Sequence, residues 1–223
     1  MRARRWFRGV AVAIAVTSAA ASGSTGGPAT PAGEAAPAQA IEQPDLGFTL
    51  RAPEGFERVK PPNAAGLYAF KRTLPDQTAI IVSVDKMGGT IDRRRYKPEE
   101  LIPAKFSFPA NAKMSLQAVT WRSFTLDAFR VELPTDGPLL VVFVCQVPLA
   151  PEAVQLTVVG AQSHETEANE VFRALVDSVD GKSNWLSDSE RSYKLGLLVG
   201  RVVGAALGVA VILLIVRARR KRT

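Results

Sequence analysis

The chain has 223 residues, with 28 Lys and Arg against 21 Asp and Glu, and a formal charge of +7. One His and one Cys exclude Cys/His zinc clusters, paired-His metal sites and a disulfide within the chain. The positive excess does not describe a nucleic-acid binder, because residues 41–194 hold 18 cations against 20 anions and the surplus lies beside the two most apolar stretches.

Residues 1–21 read as a signal peptide. Arg2, Arg4, Arg5 and Arg8 form a basic start, Val10–Val16 an apolar run, and small residues follow. Ala19-Ala20-Ala21 offers an A-x-A cleavage site, and Ala38-Gln39-Ala40 offers a second one farther from the apolar run. Arg4-Arg5-Trp6-Phe7 partly matches a twin-arginine signal, and an ordinary Sec signal is the simpler reading. Residues 22–45 are rich in Ala, Pro and Gly, so a disordered linker is expected there.

An extracytoplasmic domain is expected over 46–181. Phe48–Arg51 opens it as a strand and Pro53-Glu54-Gly55 turns it. Leu67–Lys71 and Thr78–Asp85 form a hairpin about Leu74-Pro75-Asp76-Gln77. A short helix is predicted over Lys97–Lys105, after a basic loop. Strands follow at Ser115–Trp121 and Phe124–Leu133. Leu139–Val147 is a continuous apolar run, the pattern of a strand buried on both faces, and Val154–Gly160 is the last strand. A second helix is predicted over Glu165–Val179. Ser163 is its expected cap, Glu165 and Glu167 suit its first turn, and Asp180-Gly181 is its stop. The fold class is therefore α+β: a mostly antiparallel sheet packed with helices.

Residues 182–194 read as a juxtamembrane stem. Leu195–Val216 is 22 residues with one charge, or roughly 33 Å of helix, long enough to cross a bilayer. Arg217, Arg219, Arg220, Lys221 and Arg222 follow in a tail over 217–223. This basic stop places the tail in the cytoplasm and the domain outside. Gly196, Gly200, Gly204 and Gly208 make three overlapping G-x-x-x-G units on one stripe. Such a stripe is suited to self-association or packing against a partner's helix. Arg201 is the charge inside the span. It is expected to snorkel to the outer headgroups, and the competing reading pairs it with a carboxylate on a partner helix.

Phe48, Leu50, Pro53, Gly55 and Phe56 form an opening of the type Gly-Phe-x-Leu-x-x-Pro-x-Gly-Phe ahead of a β-meander. The helix containing Val171, Phe172, Leu175, Val176 and Val179 closes the domain. This order resembles the PsbP-like α/β sandwich superfamily over about residues 46–181. The resemblance implies a non-catalytic binding or assembly domain, and it assigns no binding residue here.

Few residues suggest chemistry. Cys145 lies in the most apolar run, where burial makes a thiol inert. His164 stands beside Glu165 and Glu167, the arrangement of a solvated helix end. No catalytic, cofactor or metal site is assigned. Arg93, Arg94 and Arg95 are the charge cluster of the domain. They are either a solvated loop or a patch for an anionic surface or polymer. The expectation is a membrane-tethered, non-catalytic binding or assembly module with a protein partner and no nucleic acid. The alternative is a membrane-anchored envelope hydrolase using carboxylates such as Asp85 and Asp92.

Overall fold

The computed structural model describes residues 40–186 and Ser192. The chain divides into two compact units, Met1–Asn184 and Trp185–Thr223. Of the second, only Trp185, Leu186 and Ser192 are described. Among the described residues no helix is long and apolar enough to cross a membrane. The expected signal peptide, most of the linker, the span over 195–216 and the basic tail lie outside the described residues.

The first unit is built on seven antiparallel strands. In chain order these are β3 (Glu57–Val59), β4 (Gly66–Thr73), β5 (Ala79–Lys86), β6 (Lys113–Trp121), β7 (Phe124–Leu133), β8 (Leu140–Val147) and β9 (Val154–Ala161). They lie side by side in the order β3-β4-β5-β9-β8-β7-β6. A smaller sheet has the order β1-β2-β10, with β1 at Ala40–Gln43, β2 at Phe48–Arg51 and β10 at Asp180–Gly181. The one α-helix among the described residues, α1, spans Glu165–Ser178. The α+β class and the antiparallel sheet agree with expectation.

Register decides which side chains share a face, because opposed residues in an antiparallel pair point the same way. Val84, Leu156, Cys145 and Ala128 form one row across β5, β9, β8 and β7, and all four are fully buried. Helix α1 packs over this face. Its spacing of Ala168, Phe172, Leu175 and Val176 puts four buried side chains on one stripe. Phe172 stacks on Phe143 of β8 at 5.6 Å between centroids. Gly160 of β9 lets the helix come close, since a Cβ there would stand 3.2 Å from the Ala168 Cβ. Trp121 anchors the helix end, its indole N–H donating to the Val179 carbonyl at 2.8 Å. On the opposite face Phe129, Val131, Val142 and Val144 are covered by Phe106 and Phe108 from the long β5–β6 connection.

Strand β3 was not expected from the sequence, and several boundaries differ from that reading. The helix expected over Lys97–Lys105 is two short 3-10 turns, Pro98–Glu100 and Pro103–Phe106. Pro103 has no N–H and forces Ile102 into an extended conformation, so one helix cannot run through. Order begins before Leu46, because β1 pairs with β2 across a turn that ends in the left-handed Gly47. His164, not Ser163, holds the cap position of α1, and no side chain caps the helix there. Asp180-Gly181 pairs with Thr49 and Phe48 as a strand, and backbone bonds from Ala150 to Lys182 and from Asn184 to Pro148 extend the domain to Asn184.

Candidate functional site

The arginine cluster lies on the connection between β5 and the first 3-10 turn, and all three residues are exposed. Each is engaged with the domain. Arg95 Nε meets Asp127 Oδ1 at 2.7 Å, and the other oxygen of that carboxylate accepts the Tyr96 backbone N–H at 2.6 Å. Arg94 pairs with Glu100 and lies over the Tyr96 ring at 5.0 Å. Arg93 lies over Phe124 at 5.9 Å. Arg94 and Arg95 therefore have carboxylate partners, and the loop is pinned to β7 through Asp127.

The other singled-out residues are dispersed. Gly196, Gly200, Gly204, Gly208 and Arg201, with Arg217, Arg219, Arg220, Lys221 and Arg222, lie outside the described residues. Asp85 is almost buried, taking the Asn63 amide on one oxygen and the Ser83 hydroxyl on the other. Asp92 is exposed on the loop that follows β5. Cys145 is fully buried, and burial, with a smaller effect from the Asp127 charge, pushes its thiol well up. His164 Nε2 meets Asp76 Oδ2 at 2.8 Å, and its Nδ1 is 3.6 Å from Glu167. The Thr78 hydroxyl at 2.6 Å, and then the His164 ring, hold the Asp76 carboxyl down to about 2.

A concave site that the sequence reading did not find lies along the C-terminal half of α1. The segment after β2 forms its opposite wall, and its volume is about 760 Å³, within the usual range for ligand sites. Ala52, Pro53, Phe56, Val171, Ala174 and Leu175 make an apolar floor. The rim carries Glu54, Glu170, Asp177 and Asp180 against Arg51, with Ser178 between. Local structure sets both walls. Gly55, at φ +75°, turns the segment so that Phe56 faces the groove. The Arg72 guanidinium packs on the Phe56 ring at 4.8 Å and also binds Glu167 of α1. The Arg51 N–H donates to Ser178 Oγ at 3.3 Å, and that hydroxyl donates to the Leu175 carbonyl at 2.8 Å.

The rim charges are unevenly satisfied. Asp180 pairs with Arg122. Among the described residues Glu54, Glu170 and Asp177 have no ion-pair or hydrogen-bond partner. The last turn of α1 carries no basic residue, so Asp177 stands at the negative end of the helix dipole, with the exposed Arg173 one turn back. The sequence did hold one signal. Glu170 and Asp177, seven apart, flank Val171 and Ala174 on a side of the helix other than its buried stripe.

No protein-family model and no curated protein matches the chain. Solved structures do. LpqN of Mycobacterium tuberculosis, described as involved in cell envelope biogenesis, is 15% identical, covering 63% of this chain and 88% of its own, with a TM-score of 0.43. The cyanobacterial PsbP (CyanoP) of Synechocystis sp. PCC 6803 is 12% identical, covering 71% of this chain and 98% of its own, with a TM-score of 0.42. No residue correspondence is taken from either likeness.

Proposed function

We propose that the chain is a non-catalytic, extracytoplasmic binding or assembly module, tethered to the membrane by one helix over 195–216. The observation that supports this reading is the groove beside α1. It combines an open apolar floor with three rim carboxylates that have no ion-pair or hydrogen-bond partner among the described residues. The residues around it include no nucleophile paired with a base, so binding accounts for them better than bond-making does. On this reading the glycine stripe at Gly196, Gly200, Gly204 and Gly208 packs against a neighbouring helix. The groove then meets a segment of a protein partner outside the membrane.

Site-specific photo-crosslinking in cells that make the intact chain tests this. A benzophenone side chain in place of Ala174, exposed on the groove floor, is expected to give a discrete adduct with another protein. The same group in place of Ile81, exposed on the opposite face of the sheet, is expected to give none. No adduct at 174, or the same adduct at both positions, overturns the reading.

A further inference from the structure

Resting on that reading, we infer that the groove beside α1 takes a cationic protein segment that places apolar side chains on its floor. Three carboxylates unpaired among the described residues, Glu54, Glu170 and Asp177, stand around the rim with Arg51, and the exposed Arg173 lies three and four residues from the two on the helix. The C-terminal end of α1 adds its negative pole on the same side, since Leu175, Asp177 and Ser178 line the groove. Fields from charges of one sign add in a cleft with low-dielectric walls, so the groove attracts cations and repels phosphate and carboxylate ligands.

The floor narrows the class further. A free polyamine would satisfy the rim and leave Pro53, Phe56 and Val171 in water. A segment that alternates basic and apolar residues satisfies both. The segment is not an added strand on β2, because β1 takes one edge of that strand and β10 the other. Side chains rather than a backbone ladder therefore hold it.

Residues 22–39 carry Glu34 as their only charge and contain no cation, and residues 187–194 hold no aliphatic side chain, so neither supplies such a segment. On the proposed topology the basic residues of 1–21 leave with the signal peptide and those of 217–223 lie in the cytoplasm, so the segment comes from another protein.

The test uses the full-length chain in nonionic detergent, with labelled synthetic peptides read by fluorescence anisotropy. A peptide alternating Lys and Leu is expected to bind. Peptides alternating Glu and Leu, or Lys and Ser, are expected to bind at least tenfold more weakly. The double variant Glu170→Lys, Asp177→Lys should lose at least tenfold toward the Lys/Leu peptide and gain affinity for the Glu/Leu peptide. Both positions are exposed on α1, so the fold tolerates the change. Raising salt from about 50 to about 300 mM should weaken the native protein, because added ions screen the rim. Equal binding of the Lys/Leu and Glu/Leu peptides, or no effect of rim reversal, overturns the inference. If the adduct at position 174 forms while the Lys/Leu peptide fails to bind, the groove binds a protein of other chemistry. If neither occurs, the reading beneath falls as well.

Discussion

Arg130 shows how one side chain on a strand sets the start of a helix. Its Nε and Nη2 reach the two oxygens of Glu165 at 2.6 and 2.8 Å, and its Nη1 reaches Glu132 at 2.7 Å. Both members of the main pair are largely shielded, with side-chain exposures of 24% and 32%. The two-pronged geometry makes this stronger than an ordinary surface pair. It ties the first residue of α1 to β7 at a helix start whose cap position has no capping side chain. The Arg130 hydrogen bonds hold the Glu165 carboxyl below its ordinary value. Its stabilising contribution is therefore complete above the unfolded value, about 4.3, and fades as pH falls through the lower folded value. Glu165→Gln is expected to lose about 1 kcal/mol at neutral pH. Urea unfolding should show the gap to the native protein closing toward pH 3, and a gap independent of pH would contradict an ionic contact.

At the scale of elements, α1 has two sides with different tasks. The Phe172 side is core: it is fully buried against Phe143, and Phe172→Ala is expected to cost about 3–5 kcal/mol. The Ala174 side is groove floor, and Ala174→Ser should change stability by less than about 0.5 kcal/mol. Chemical denaturation of the two variants checks the contrast. The core side was legible in the sequence, because the spacing of Phe172, Leu175 and Val176 is helical whatever the rest of the chain does. The strands were legible for the same local reason, down to the buried run of β8. The 97–105 segment misled because its composition suits a helix while Pro98 and Pro103 break the backbone bonding. Strands β1, β3 and β10 were missed because they are short and gain their meaning only by pairing, β1 and β10 with β2 and β3 with β4. The groove was missed because residues 51–56 and 170–180 are far apart in the chain and only the fold brings them together.

At the scale of the whole domain, the sheet has one sealed centre. Cys145 sits there, with β7 and β9 on either side, and has no exposed surface. Its thiol is both inaccessible and pushed up by burial, so it reacts only when the sheet opens. Labelling by a disulfide reagent across a urea series is expected to follow the loss of circular dichroism in one transition. Substantial labelling before the main transition would mean that β8 opens separately.

The small sheet has a consequence for how the domain joins other sequence. Both flanks of β2 are occupied, by β1 where the chain enters and by β10 near where it leaves. The two flanking strands are one strand apart, about 10 Å across the sheet. The chain enters opposite Arg51 and leaves past Phe48, so the two junctions lie at opposite ends of β2. A host loop that accepts the domain must therefore span the strand, roughly 10 Å along its length, as well as the sheet beside it.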